Sequence, residues 1–251
     1  MPLLASLAAL AAVASGPAPV RHYLRTNSDG TAAERVVVYV PEPGRVAVFK
    51  GRDRCADAAY VTGRLDPETG QALELVGGRL TRERTQRQMA WLSRGEDGTL
   101  ALRLERGGAQ AGFSAKVGER WVLYDFDFSD LIASPPPEIL RREELRFELP
   151  LLLTGDAPSF RNRGELVLSY RGEESRLDRP TLLYHASGPA LDGGEGFFWF
   201  DAADGRLVEA SLPVANHAEY RDFRMVLVGT EEGEEAWQDL LADHWRDCPA
   251  D

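Results

Sequence analysis

From residue 20 onward the chain is written in short apolar runs broken by turn residues. Candidate strands in the first half are Val36 to Val40, Arg45 to Lys50, Thr99 to Glu105 and Trp121 to Phe128. Arg146 to Leu153, Glu165 to Tyr170, Thr181 to Ala186, Gly196 to Asp201, Arg206 to Leu212 and Arg224 to Val228 follow in the second. Thr99 to Glu105 has a period of two, with Leu100, Leu102 and Leu104 on one face and Arg103 and Glu105 on the other. Asn27-Ser28-Asp29-Gly30, Pro41-Glu42-Pro43-Gly44, Glu96-Asp97-Gly98 and Ala203-Asp204-Gly205 supply turn chemistry between runs. Asp204-Gly205, set between two β-rich runs, is the strongest hairpin signal. Connections this short leave no room for crossover helices, so the pattern predicts a mostly β protein built as an antiparallel meander.

Helical periodicity is confined to two places. Pro137 to Glu144 predicts one or two turns opened by proline. Between Glu231 and Cys248, the residues Trp237, Leu240, Leu241, His244, Trp245 and Cys248 form one apolar stripe. Glu231, Glu232, Glu234 and Glu235 crowd its start, where the helix dipole favours anions. The expectation is a C-terminal amphipathic helix packed through its Trp face on the sheet.

One strand breaks the alternation. Gly196 to Asp201 reads Gly-Phe-Phe-Trp-Phe-Asp, apolar on both faces. An antiparallel strand usually has one wet face, so something must cover the second. The C-terminal helix, a second sheet or an apolar ligand would each do so. In the ligand case Phe197, Phe198, Trp199 and Phe200 line the site.

The N-terminus adds a compartment. Leu3 to Ala14 is an apolar run too short to span a bilayer, and Ala12-Val13-Ala14 closes it with the small-x-small pattern of signal cleavage. Ser15-Gly16-Pro17-Ala18-Pro19 then breaks any helix, although no Lys or Arg precedes the run. The reading is a leader over 1–14 and a single antiparallel β domain over 15–251, its two β-rich halves meeting near 134–137, periplasmic or secreted. No later stretch is long and apolar enough to span a membrane. Cys55 and Cys248, 193 positions apart, fit no metal or redox motif, and either pair as one long-range disulfide or stay as two thiols.

Charge narrows the partners. The 251 residues carry 40 acidic and 29 basic side chains, a formal net charge of −11. That balance argues against nucleic acid and against docking on an anionic membrane surface. The chain contains no Gly-x-Ser-x-Gly, no phosphate loop, no Gly-x-Gly-x-x-Gly and no His-Glu-x-x-His. His22, His185, His217 and His244 show no ligand spacing; His244 reads as a core histidine, and His217 as either a general base or part of a polar turn. The most suggestive string is Tyr124-Asp125-Phe126-Asp127-Phe128. On a strand the two aspartates share a face roughly 7 Å apart, a spacing suited to an inverting glycosidase or a calcium ion. The same alternation also describes a half-buried strand with its aspartates in water.

The C-terminal third carries a resemblance. Tyr184 to Asp192, then Phe198-Trp199-Phe200-Asp201, Asp204-Gly205, and Asn216-His217 to Asp222-Phe223 resemble an uncharacterised family of exported Gram-negative proteins, known as a domain of unknown function. The Trp-Phe-Asp and Asp-Gly hairpin is similar, more distantly, to a strand pair in periplasmic lipoprotein carriers and outer-membrane lipoprotein receptors. About 60 residues carry the likeness. It implies an unclosed or half barrel whose apolar concave face holds acyl chains, with no cofactor, no metal and no established catalytic residue. The chain departs from a carrier in having only 3 Met and no helical lid between strands. The expected function is non-enzymatic binding of a lipid-like or apolar ligand, a lipoprotein or another envelope partner. A hydrolase of envelope polysaccharide using Asp125 and Asp127, and a structural envelope protein without a ligand, are the alternatives.

Overall fold

A computed structural model describes residues 18–153 and 157–249. The leader expected over 1–14 lies outside them. The fold is a 14-stranded antiparallel sheet, nearly closed as a barrel with one unsealed seam. Eight strands form its first half: β1 (Pro19–Thr26), β2 (Glu34–Tyr39), β3 (Arg45–Gly51), β4 (Ala59–Leu65), β5 (Ala72–Leu80), β6 (Gln86–Arg94), β7 (Thr99–Arg106) and β8 (Ala109–Lys116). Six form the second: β9 (Leu145–Leu153), β10 (Ser159–Arg176), β11 (Arg179–Ser187), β12 (Gly196–Asp201), β13 (Leu207–Leu212) and β14 (Phe223–Glu232). Each strand pairs with its chain neighbour except at one point, between β8 and β9. β1 pairs with β14, zipping the two halves together, and β8 and β9 are left as the edges of the seam.

The seam is bridged rather than open. Asn162 on β10 donates its amide to the Lys116 carbonyl at 2.9 Å and to Glu148 Oε2 at 2.6 Å. The Gly118 N–H reaches the same carboxylate at 2.8 Å. Just past β8 the backbone pairs beside β9: the Glu148 N–H donates to Arg120 and the Val122 N–H to Glu148.

The chain then turns into the barrel. Trp121 to Phe128 is not the strand its alternation predicts. Tyr124–Phe126 is a 3-10 turn, and Asp127 and Phe128 take left-handed backbone at φ 53° and 56°, which no strand accommodates. A five-residue helix, α1 (Ser129–Ala133), follows, unannounced by the sequence. The turns expected in 137–144 form as hydrogen-bonded turns without a regular helix. This connection, residues 117–144, is a stopper in the lumen. Trp121, Tyr124, Phe126, Phe128, Leu131, Ile132 and Ile139 are all buried. Phe128 packs its ring 5.1 Å from Phe198 on β12 and 5.5 Å from Phe223 on β14. Arg21 on β1 donates to the Ile132 carbonyl and Tyr184 on β11 to the Ile139 carbonyl. Wall strands around the barrel thus hold the stopper by its backbone.

The C-terminal helix, α2 (Gly233–Trp245), follows β14 and covers the outer face of β1 to β3. Trp237 stacks on Tyr39 at 5.3 Å, and Phe49 meets His244 edge-on at 5.2 Å. This explains why β2 is apolar on both faces: Val36 and Val38 face the lumen, Val37 and Tyr39 face the helix. Cys55 and Cys248 form a disulfide, Cα atoms 5.4 Å apart, pinning the chain just past α2 to the β3–β4 connection. Among the described residues no helix is long and apolar enough to cross a membrane.

Candidate functional site

The site grows from a conflict between the barrel wall and its apolar contents. On β1, Tyr23 faces the lumen, and two residues on, Arg25 must do so as well. On β3 the same parity takes Val46, Val48 and Lys50 inward. Glu34 on β2 lies opposite Arg25 in the pairing and diagonal to Lys50. Beyond the half-buried Arg21, two cations therefore enter a largely apolar interior and are buried there: Arg25 at 0% exposure and Lys50 at 6%.

The stopper answers them with Asp127, itself at 0% exposure. Lys50 Nζ sits 2.5 Å from Asp127 Oδ2 and also donates to the Asp125 carbonyl. Arg25 Nε lies 3.7 Å from Asp127 Oδ1. The β13–β14 connection, residues 213–222, forms the roof. Its buried Asn216 donates to Asp127 Oδ1 at 2.5 Å and to the Tyr124 carbonyl at 2.9 Å, and accepts from Arg25. Tyr220 lays its ring over the Arg25 guanidinium, 3.0 Å from centroid to Cζ, and donates its hydroxyl to Glu34 at 3.0 Å. Arg25 Nη1 and His217 Nε2 are buried without a hydrogen-bond partner.

Burial and charge pull these groups apart in acidity. Burial opposes ionisation of Asp127, but Lys50, His217 and Arg25 beside it outweigh that and hold its carboxyl below the usual range. Asp125 is pushed up to about 6 by burial, against the pull of Lys50 and the Leu152 N–H. Asp130 is pushed up to about 7, again by burial, although the Leu131 and Leu123 N–H groups point at it. Burial also raises Glu34. His217 falls to about 4, first through burial and then through Lys50. At neutral pH Asp127 is the charged partner of the two cations, and His217 is a neutral imidazole.

The sequence places Asp125 and Asp127 on the wet face of a strand; Asp127 lies in the interior and Asp125 is half-buried. The reason is geometric, because alternation assigns faces only if the segment is extended, and here it coils into the lumen. Their side chains do not act as a pair either. Asp127 faces Lys50, while Asp125 accepts from the Leu152 backbone at 3.2 Å. Among the described residues no group of three or more His, Cys, Asp or Glu side chains is arranged to hold a metal.

The strand Phe197, Phe198, Trp199 and Phe200 also differs from its reading. It alternates after all: Phe198 and Phe200 are buried in the interior, while Phe197 is 40% exposed and Trp199 half-buried on the outside. Neither α2 nor a second sheet covers that outer face. Arg176 stacks on Trp199 at 4.5 Å and holds the buried Glu209 with two hydrogen bonds of 2.7 and 2.8 Å, and Arg224 adds a third at 2.9 Å. Only Phe198 and Phe200 face the lumen, and there they meet the stopper and each other. Shallow concavities of about 490 and 530 Å³ lie on the outside, one beside Trp91 and Arg103, the other between α2 and β2 to β5.

Of the residues in the polar cluster, sequence reasoning singled out Asp125, Asp127 and His217 and missed Arg25, Glu34, Lys50, Asn216 and Tyr220 as site residues. Lys50 left a usable signal, as the third member of an inward series after Val46 and Val48. Arg25 left none, because β1 itself was not legible. No protein-family model matches the chain, and no curated protein matches it.

Proposed function

We propose that this chain is a non-enzymatic exported envelope protein that takes a lipid-like or apolar ligand into its barrel, displacing the 117–144 stopper. The supporting observation is how the lumen is filled. About 8 strands already make a barrel whose own side chains can fill it, whereas this wall has 14 and is filled by an inserted segment. A wide, apolar-lined lumen occupied by a separate piece of chain is a container with its contents exchangeable in principle. The Cys55–Cys248 disulfide supports an oxidising compartment. A hydrolase of envelope polysaccharide needs its carboxylates in a cleft open to a glycan, whereas Asp127 is fully buried and the half-buried Asp125 is taken up by the Leu152 backbone.

The test is native mass spectrometry of protein released from the periplasm without detergent, followed by solvent extraction, paired with hydrogen exchange over residues 121–139. Retained acyl species, and faster exchange in that segment when an acyl probe is added, are the expected results. Protein that carries nothing, takes up no probe and protects 121–139 throughout is a structural envelope protein instead.

A further inference from the structure

The polar cluster is divided unequally between wall and stopper. Wall strands contribute Arg25, Lys50 and Glu34; the roof contributes Asn216, His217 and Tyr220; the stopper contributes Asp127. With the stopper seated, Lys50 and Arg25 share the Asp127 carboxylate at 2.5 and 3.7 Å. With it withdrawn, Glu34 is the acid that remains paired with them on the wall among the described residues, and burial discourages its ionisation. Two buried cations facing one reluctant acid are costly, because an unpaired charge in an apolar interior forfeits its hydration without repayment. Whatever replaces the stopper must return an anion to that place.

The stopper also describes the rest of its replacement. From the Asp127 carboxylate the chain runs directly into Phe128, packed against Phe198 and Phe223, and on into the buried Leu131 and Ile132. An acid head followed by an apolar stretch is the outline of an anionic amphiphile. Arg25 is already held for such a head, its face on Tyr220 and one N–H on Asn216, while Nη1 has no partner.

Resting on the lumen-binding reading above, we propose that Arg25 and Lys50 form a headgroup site and that the ligand is a single-chain amphiphile with a carboxylate or phosphate head, its tail lying along Phe198 and Phe223. Asp127 is then a built-in competitor for that site.

The experiment is calorimetric titration of wild type and Asp127→Asn with laurate, dodecyl phosphate, dodecanol and inorganic phosphate. Laurate or dodecyl phosphate should bind wild type at least about tenfold more tightly than dodecanol, and Asp127→Asn should tighten that binding by about tenfold or more. Which of the two is preferred identifies the head. Dodecanol binding as tightly as the charged chains would overturn the headgroup site while leaving the lumen reading intact. Inorganic phosphate binding as well as dodecyl phosphate would show that no tail is recognised and would also overturn it. No binding of any chain to either protein removes both readings. Because Asp127→Asn strands two cations and risks misfolding, a second measurement uses wild type alone. Carboxyl-labelled laurate bound to it should titrate at least about one pH unit below laurate in neutral micelles. A midpoint at or above the micellar value overturns the site.

Discussion

Asp127, Lys50 and Arg25 are each buried, so none of them tolerates losing its partner cheaply. Lys50→Met leaves Asp127 with the Asn216 amide and the longer contact to Arg25 as its one remaining cation, and should destabilise the fold by about 3–5 kcal/mol, the usual cost of breaking a buried pair. In denaturant unfolding, Lys50→Met/Asp127→Asn should cost less than the two single changes added together, because the groups act as a unit. Asp130 makes the opposite kind of prediction. Its carboxyl titrates near 7 in the fold, against about 3.9 in an unfolded chain. Between those values the native state holds a proton that the unfolded state has lost, so stability falls as pH rises through that window, by about 4 kcal/mol at most. His217, depressed to about 4, works against this below about pH 6.5, since there the unfolded state binds the extra proton and stability rises with pH. Asp130→Asn should therefore shrink the decline between pH 4 and 7 in thermal melts, leaving below pH 6 the smaller fall from Asp125, raised to about 6, set against the His217 rise. An unchanged pH profile would mean that Asp130 is solvated. On β12, Phe198→Ala should cost about 3–5 kcal/mol and Phe197→Ala within about 0.5 kcal/mol. The sequence could not separate these two rings, because an unbroken Phe-Phe-Trp-Phe run hides which parity faces in.

Among the elements, those that bury several large apolar side chains were the legible ones. The α2 stripe of Trp237, Leu240, Leu241 and His244 is buried as its spacing required. Strands β2, β3, β7 and β9 to β14 were each readable from apolar runs. The missed strands are β1, β4, β5, β6 and β8, and the last four share a cause. β6 (Gln-Arg-Gln-Met-Ala-Trp-Leu-Ser-Arg) and β8 (Ala-Gln-Ala-Gly-Phe-Ser-Ala-Lys) bury few large side chains, and most residues of β4 and β5 are half-exposed. Their pairing with neighbours, rather than a buried face, makes them strands. The stopper was illegible for a different reason: its aromatic alternation is that of a strand, and only the lumen that receives it decides otherwise. The position of α2 was open in the sequence as well, since the cysteines left two states possible. Because the Cys55–Cys248 link closes a loop of 193 positions, Cys55→Ser/Cys248→Ser should lower stability by about 2–5 kcal/mol in reversible unfolding. Hydrogen exchange in α2 should accelerate before that of β1 to β3. Equal protection of α2 in both proteins would show that Trp237 and its apolar neighbours hold the helix unaided.

For the whole molecule the weak line is the seam, where the Asn162 amide, the Glu148 carboxylate and a short backbone bridge at 120–122 stand in for a full ladder of backbone hydrogen bonds. Asn162→Ala removes the link to Lys116 and Glu148 and should speed amide exchange at residues 116–122 while leaving the β1–β14 pairing protected. Fast exchange at both places would instead mean that the barrel opens as one unit. An unclosed or half barrel was the expectation, and the sheet is a nearly closed barrel with one unsealed seam; the location of the gap, in mid-chain rather than between the terminal strands, was not legible, because it depends on β1 finding β14. That pairing also orders events in time. As the chain is synthesised, β1 can pair on one side with β2, but its other edge must wait for Phe223–Glu232, about 200 residues later, and the lumen has no complete wall until then. Two antiparallel half-sheets, each able to form from local hairpins, would collect first with an apolar face and an open edge apiece. The final zip is a long-range closure of the kind that makes folding slow, and until it happens the half-finished molecule is adhesive, both to itself and to anything that shields such edges.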